Sequence, residues 1–139
     1  MDNTTEHQFQ NPSIKGLSKA VLVTGGAGYV GSHTCKYLAK NGFTPITIDR
    51  DLRTKFKPVS FGPSFDINLP QEIERLEEVI KRFNITSCIH FAGSASVAES
   101  VKNPSEYYKN NVIATITLLD KLIECGVKTF VYSSSAATY

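Results

Sequence analysis

Hydrophobic and polar positions alternate along this chain with two periods, one typical of strands and one typical of helices. Short apolar runs that suit buried strands occupy residues 20–24, 44–49, 86–93 and 128–132. Apolar residues spaced three and four apart predict helices at residues 32–39, 69–83 and 105–125. Because strands and helices alternate, the sequence predicts an α/β fold, a doubly wound parallel sheet with right-handed crossovers and strand order 3-2-1-4-5.

Other stretches are less regular. A further short strand is predicted at residues 59–61 or 64–67, and residues 94–102 form either a short helix or a lid-like loop. Adjacent amides at Asn110 and Asn111 are unfavourable inside the last helix, which hints at a specific contact. The predicted apolar side of that helix consists of Tyr108, Val112, Ile116, Leu119 and either Leu122 or Ile123.

A glycine-rich turn connects the first strand to the first helix. It contains Gly25, Gly26, Gly28 and Gly31. Glycines at this spacing allow a tight turn and a close approach of the backbone to a pyrophosphate, and the last one allows the helix to pack on the strand. The N–H groups at the helix N-terminus then point at the phosphates. The turn therefore predicts a dinucleotide-binding site.

An acidic residue ends the second strand where a dinucleotide-binding fold needs one. Asp49 follows Gly28 by about 20 residues, the spacing at which a carboxylate accepts hydrogen bonds from the adenosine ribose. A carboxylate here repels a 2′-phosphate, which favours NAD over NADP, although the adjacent Arg50 argues the other way. The alternative for Asp49 is a turn residue that ends a strand.

Composition narrows the class of protein. The chain has 139 residues, 41% of them hydrophobic, and a formal net charge of +2, which suits one globular domain and gives no basic patch for nucleic acid. No apolar run reaches the ~20 residues of a membrane span, and the polar N-terminus lacks the apolar centre of a signal peptide. We therefore expect a flexible tail at 1–18, a dinucleotide-binding domain at 19–139, a cytoplasmic location, and neither a nucleic-acid nor a membrane partner.

Several potentially reactive side chains are better interpreted as core residues. Cys35, Cys88 and Cys125 are too widely spaced for a metal site or a disulfide framework, and each lies in an apolar element. His90, in the middle of a predicted buried strand, is more typical of a packed imidazole than of a catalyst. The serines at 133–135 differ, because they follow a parallel strand at the end where α/β enzymes place reacting groups.

Together these segments resemble a known family. The sequence TGGAGYVGSH at 24–33 is similar to the signature of the extended short-chain dehydrogenase/reductase superfamily. Within it, four further segments resemble the UDP-glucose 4-epimerase family: HFAG at 90–93, VAESV at 97–101, PSEYYKNNV at 104–112 and VYSSSAATY at 131–139. The resemblance covers nearly all of residues 20–139.

This resemblance implies an NAD-dependent isomerase that interconverts UDP-galactose and UDP-glucose through a 4-keto intermediate in galactose metabolism. In the family, a tyrosine of a Tyr-x-x-x-Lys motif takes the proton of the sugar 4-hydroxyl, and the lysine lowers the pKa of that tyrosine. A serine shares the hydrogen bond to the 4-oxygen. NAD stays bound because each cycle regenerates it.

The resemblance also assigns roles to residues. Ser135 matches the catalytic serine, Asp66 and Ile67 match the pair beside the adenine, and Asn110 matches an asparagine on the nicotinamide side. The full set of positions that match cofactor contacts is Gly25, Gly28, Tyr29, Val30, Gly31, Asp49, Asp66, Ile67, Phe91, Ala92, Gly93 and Asn110.

The chain departs from the family pattern in several places. No tyrosine is followed by lysine four residues later, and the substrate-binding C-terminal half is absent. The segment between Asp49 and Asp66 is short, and Phe65 replaces a customary glycine. Ala95 stands where the family often has a lysine near the cofactor. We therefore expect an incomplete domain, an N-terminal portion that is inactive alone.

Two alternatives stay open. The first is a non-catalytic NAD-binding module, or half of a split enzyme, since an unpaired apolar edge strand favours association. The second is another enzyme of the extended superfamily, such as a nucleotide-sugar dehydratase or a decarboxylase. The expected partners are a UDP-sugar in the complete enzyme and either a second copy of this chain or a complementing C-terminal chain.

Overall fold

The computed structural model describes residues 19–50 and 61–134. The predicted tail at 1–18, most of the alternative strand at 59–61, and the predicted catalytic residue Ser135 lie outside these ranges.

The order of strands and helices follows the prediction, but the helix predicted at 69–83 begins only at Ile73, and a π-helical turn divides the helix predicted at 105–125. The strands are β1 (Ala20–Thr24), β2 (Thr44–Asp49), β3 (Ser64–Asp66), β4 (Ser87–His90) and β5 (Thr129–Tyr132). The helices are α1 (Tyr29–Lys40), α2 (Ile73–Phe83), α3 (Val97–Lys102), α4 (Pro104–Tyr108) and α5 (Ala114–Glu124), with a π-helical turn at Lys109–Ile113 between α4 and α5. The short third strand is therefore the later of the two predicted, and the segment after β4 contains a helix.

The sheet is parallel throughout, with the order β3-β2-β1-β4-β5. This order confirms the prediction. The chain runs from β1 to one edge of the sheet and then returns to the other side of β1, so the switch in direction falls between β1 and β4. Ligands of such sheets bind outside the carboxyl ends of the strands at this switch point.

The core occupies both faces of the sheet, which explains why β1 and β2 are nearly continuous apolar runs. On one face, Leu22 and Ile46 pack with Leu76 of α2 and Leu118 of α5. On the other face, Val21 and Val23 pack with Cys35 of α1. Successive residues of β1 therefore contact opposite layers of helix, as the pleat of a strand requires.

The predicted apolar side of the last helix is wrong. The buried residues of α5 are Ala114, Leu118 and Leu122, so that only Leu122 of the predicted set is buried. The helix carries apolar residues on two faces, and the π-helical turn adds a residue that rotates the faces before and after it. Periodicity alone could not choose between these faces. The exposed members of the predicted set are Tyr108, Val112, Ile116 and Ile123.

Candidate functional site

A cleft of about 300 Å³ opens at the carboxyl ends of β1, β2 and β4. This volume lies at the lower end of the range for small-molecule sites. One wall comes from the glycine turn and the end of β2, and the other from the end of β4 and the π-helical turn. The predicted cofactor residues that line the cleft are Gly25, Gly28, Asp49, Ile67, Phe91, Ala92, Gly93 and Asn110.

The glycine turn is held between α1 and the end of β4 by backbone contact. Gly25 has a φ of +66°, and a Cβ there would lie 2.7 Å from the backbone nitrogen of Ala92. A Cβ on Gly31 would overlap the carbonyl oxygen of Gly25 and approach the Cα of Gly26 to 2.8 Å. Both positions therefore exclude any side chain, because only backbone atoms could give way.

The N-terminus of α1 faces the cleft without a capping side chain. Gly28 is its N-cap and accepts the first helical hydrogen bond from the N–H of Ser32 at 2.9 Å. No acidic residue lies in the first turn, where Tyr29 and Val30 are exposed. The positive end of the helix dipole is thus uncompensated by this helix's own side chains, which suits an anion. A Cβ on Gly28 would contact only the oxygen of Gly25, at 3.3 Å, and otherwise enter open space.

Asp49 connects the end of β2 to the glycine turn. Its Oδ2 accepts a hydrogen bond from the N–H of Ala27 at 3.1 Å, and its side chain lines the cleft. Asp66 is its register neighbour on β3 and does not line the cleft. The next residue, Ile67, is buried and does line it. The predicted acidic-aliphatic pair therefore contributes its aliphatic member to the cleft surface.

His90 ends β4 as a buried imidazole with a polar partner on each ring nitrogen. Nδ1 lies 2.5 Å from Oγ1 of Thr24, and Nε2 lies 3.0 Å from Oγ1 of Thr115. Burial lowers the pKa of His90 to about 4, so the ring is neutral at pH 7. The ring also stacks on Tyr132, with centroids 5.8 Å apart. These contacts confirm the interpretation of His90 as a packed core residue.

The paired amides of the π-helical turn make the specific contact that the sequence hinted at. Oδ1 of Asn111 accepts the N–H of Ser94 at 2.8 Å, and its Nδ2 donates to the carbonyl oxygen of Ser94 at 2.9 Å. Asn110 lines the cleft and donates from Nδ2 to Oγ of Ser94 at 3.4 Å. A π-helical turn within an α-helix is frequent at functional sites, and here it directs adjacent amides to one residue.

Some predicted residues lie beside the cleft rather than in its lining. Tyr29 and Val30 begin α1 at the surface, and Gly31 is buried beneath the turn. Sequence reasoning missed Thr24 and Thr115, which hold His90. Position at the end of β1 was a signal for Thr24, whereas only the folded structure brings Thr115 to β4.

Two of the three cysteines are buried as predicted, whereas Cys125 is only partly buried where it packs against the core. Cys35 and Cys88 are buried, and burial raises the pKa of each thiol. Within the described ranges, no group of three or more metal-ligating side chains comes together. No helix in this part of the chain is long and apolar enough to cross a membrane.

Comparison with known families and proteins agrees with this geometry. A family model described as the NAD dependent epimerase/dehydratase family matches residues 21–139. The chain belongs to this family. It is 42% identical over 121 residues to a UDP-glucose 4-epimerase of Rhizobium leguminosarum bv. trifolii, covering 87% of this chain and 37% of that protein. A UDP-glucose 4-epimerase of Dictyostelium discoideum is 39% identical over 131 residues, with 88% and 38% covered.

Solved structures of epimerases share the fold. UDP-glucose 4-epimerase from Brucella ovis in complex with NAD superposes with a TM-score of 0.80 at 41% identity, covering 88% of this chain and 37% of that one. The enzyme from Bifidobacterium longum in complex with NAD+ and UDP gives 0.77 at 35% identity, covering 87% and 38%. This member of the family therefore spans little more than a third of the length of the relatives it matches.

Proposed function

We propose that the cleft binds NAD across the switch point, with the pyrophosphate over the N-terminus of α1. The observation that carries this proposal is the open space above Gly28, between an uncapped helix N-terminus and the carboxylate of Asp49. A pyrophosphate needs N–H donors and room for its oxygens, and a ribose needs an acceptor for its hydroxyls. The residues present supply both.

Each wall has its own task in this proposal. The free N–H groups in the first turn of α1 bind the phosphates, Asp49 accepts a ribose hydroxyl, and Ile67 packs beside the adenine. Gly93 and Asn110 line the nicotinamide side. When bound, NAD supplies an acceptor and donor of hydride. The chain's own residues orient the dinucleotide and keep its reactive end beside the ends of β4 and β5.

We further propose that this chain is the NAD-binding part of a UDP-sugar 4-epimerase of the cytoplasm, assembled with a second copy or a complementing chain. The relatives named above carry that activity in their names, and one was solved with UDP. Because the sequence contains no Tyr-x-x-x-Lys, we propose that the 139-residue chain alone does not turn over UDP-galactose. Ser135 is the residue proposed to share the hydrogen bond to the sugar 4-oxygen.

Titration calorimetry with NAD and NADP tests the binding proposal. We expect NAD to bind and NADP to bind at least about tenfold more weakly, because the Asp49 carboxylate repels a 2′-phosphate. Asp49→Asn keeps an acceptor for the N–H of Ala27 but removes the charge, so it should reduce the preference for NAD. If neither NAD nor NADP binds, the proposal is contradicted.

A chimera tests the substrate proposal. The chain alone, and the chain joined to the C-terminal part of the Rhizobium leguminosarum relative, are assayed with UDP-galactose and with dTDP-glucose. We expect turnover of UDP-galactose by the chimera only. A folded chimera that binds NAD but favours dTDP-glucose would instead support a nucleotide-sugar dehydratase.

A further inference from the structure

A ring of hydrogen bonds, closed by the covalent bonds of Asn111 and of the segment 92–94, lies on the β4 side of the cleft. It starts and ends on the segment 92–94, which follows β4, and passes through β1 and α5. The N–H of Ala92 donates to Oγ1 of Thr24 at 3.3 Å, and the hydroxyl of Thr115 donates to the carbonyl oxygen of Asn111 at 2.8 Å. With the contacts of the imidazole and of the Asn111 amide given above, the ring runs in order through Ala92, Thr24, His90, Thr115, Asn111 and Ser94.

Only one arrangement of protons makes all of these hydrogen bonds at the same time. Thr115 has a single hydroxyl hydrogen and gives it to Asn111, so towards His90 it can only accept. Nε2 of His90 therefore carries the ring proton, and Nδ1 must accept from the hydroxyl of Thr24. The lone pairs of Thr24 then face the N–H of Ala92. Each of the two threonine hydroxyls accepts one hydrogen bond and donates one, and each ring nitrogen makes one. All of them run in the same direction, an arrangement in which neighbouring hydrogen bonds strengthen one another.

The ring holds the segment 92–94 in addition to its packing on the glycine turn and the hydrogen bond from Asn110 to Ser94. Gly93 has no side chain, and a Cβ there would lie 3.2 Å from Oδ1 of Asn111. On its other side, the backbone nitrogen of Ala92 contacts the glycine turn at Gly25. The segment 92–94 is thus fixed at one end through Thr24 and at the other through Asn111, while its middle lines the cleft.

We propose that this ring is a positioning device for the nicotinamide half of the cofactor, with His90, Thr115 and Asn111 as positioning residues. The proposal rests on NAD binding in the cleft. The three side chains act through the backbone of segment 92–94. The adenosine half lies on the other side of the switch point, against Asp49 and Ile67, and is independent of the ring. Binding sites of this kind require placement to within about 0.5 Å, which supporting hydrogen bonds provide.

Two variants open the ring without touching the cleft surface. Thr115→Val removes the link between His90 and Asn111 at nearly constant volume, and Asn111→Ala removes both hydrogen bonds to Ser94. Thr117→Val is the matched control: its hydroxyl makes the same kind of bond, to the carbonyl oxygen of Ile113 at 2.9 Å, on the same helix but outside the ring. Calorimetry with NAD and with ADP separates the two halves of the site.

We expect both ring variants to bind NAD roughly tenfold more weakly, the equivalent of one or two hydrogen bonds, with ADP affinity unchanged within about twofold. Thr117→Val should match the original chain for both ligands. Equal loss of NAD and ADP affinity would show a merely structural role and overturn the proposal, as would unchanged NAD affinity. Failure of the original chain to bind either ligand would instead overturn the binding proposal and this one with it.

The proton order provides a second measurement that needs no ligand and no variant. The ¹⁵N spectrum of the His90 imidazole at pH 7 should show a protonated Nε2 and an unprotonated Nδ1. Burial of the ring and its low pKa, about 4, favour the neutral form that this order requires. A ring protonated on Nδ1 would break the direction of the hydrogen bonds and overturn the proposal even if both variants fail to fold.

Discussion

The two walls of the cleft are built by opposite means. The turn wall, at residues 24–31, depends on the absence of side chains: Gly25 and Gly31 bring backbone against backbone. The β4 wall, at residues 90–94 with the π-helical turn, depends on polar side chains such as His90 and Asn111 that reach from separate elements. The glycines of the turn wall are close together in the sequence and form one short motif. The hydrogen-bonding residues of the β4 wall are far apart in the sequence and come together only when the chain folds.

The two constructions also differ in how they tolerate change. Overlap between backbone atoms cannot be relieved by a rotamer, so an added methyl group must move the turn or the helix. A lost hydrogen bond costs about 1 kcal/mol, and somewhat more when it leaves a buried partner unsatisfied. We therefore expect a single added methyl group in the turn wall to cause a large loss of stability. In the β4 wall, we expect each lost hydrogen bond to cause a small loss.

The largest effect is expected for Gly31→Ala. The new Cβ would overlap the carbonyl oxygen of Gly25, and the turn cannot retreat because Gly25 already contacts Ala92. Overpacking of this severity should lower the free energy of unfolding by at least about 3 kcal/mol, measured by urea denaturation. Gly42→Ala is the control: nothing lies within 4 Å of its Cβ, and its φ of +80° should cost only about 1 kcal/mol. Equal costs at the two glycines would refute the backbone-contact account.

The sequence predicted the turn wall better than the β4 wall for a physical reason. The atoms that crowd Gly28 and Gly31 belong to the turn itself, and the positive φ of Gly25 is also local, so the motif specifies most of the turn. Only the approach of Gly25 to Ala92 depends on a distant segment. The strand order followed from alternation and handedness, which are also general. The partnership of His90 with Thr115 spans 25 residues, and no local pattern shows which face of α5 meets β4.

The misassigned face of the last helix has the same origin. Apolar residues lie on two sides of α5, and burial selects Leu118 over Ile116 only when α2 and the sheet are in place. The adjacent amides at 110 and 111 were informative because they conflict with helix propensity, and such conflicts mark specific contacts. Their partner, Ser94, could not be deduced from the sequence.

Leu118→Ala and Ile116→Ala test whether the β4 wall also rests on apolar packing. Leu118 is fully buried, so its truncation should cost about 3 kcal/mol through lost burial and a cavity behind the wall. Ile116 is 54% exposed, and its truncation should cost less than about 1 kcal/mol. Urea denaturation measures both. A larger loss of stability for Ile116→Ala than for Leu118→Ala would show that the face predicted from the sequence is the buried one after all.

The β4 wall should respond to pH in a way that the turn wall does not. The pKa of His90 is about 4 in the folded protein, against an unfolded value of 6.5. Below pH 6.5 the unfolded chain gains a proton that the folded chain does not, so stability falls as the pH decreases towards 4 and then levels off. Between pH 7 and pH 5 the expected loss is about 2 kcal/mol.

His90→Gln should remove this contribution, and denaturation at pH 7 and pH 5 compares the two proteins. Glu77 does not affect this comparison. Lys121 and Lys81 lower the pKa of Glu77 to about 2 in the folded protein, so the stability that its ionised form contributes is lost only below the ordinary pKa of 4.5. The imidazole of the native protein should also remain neutral at pH 5 by NMR. Protonation of His90 at that pH would contradict the prediction independently of the variant.

The smallest effect on stability, and the most specific one on binding, is expected for Gly28→Ala. This glycine differs from the others of the turn wall, because its Cβ would enter the cleft rather than the packed backbone. Its φ of −71° is open to alanine, so the free energy of unfolding should fall by no more than about 1 kcal/mol, the usual cost of alanine at an N-cap.

The methyl group of Gly28→Ala would nevertheless occupy the space proposed for the pyrophosphate, and affinity for NAD and for ADP should each fall at least about tenfold, or 1.4 kcal/mol. Loss of both ligands distinguishes this variant from those of the hydrogen-bond ring, which spare ADP. Calorimetry on Gly28→Ala and Thr115→Val under the same conditions therefore tests whether the ADP half of the dinucleotide binds at the turn wall and the nicotinamide half at the β4 wall. Unchanged ADP affinity in Gly28→Ala would move the diphosphate away from the N-terminus of α1.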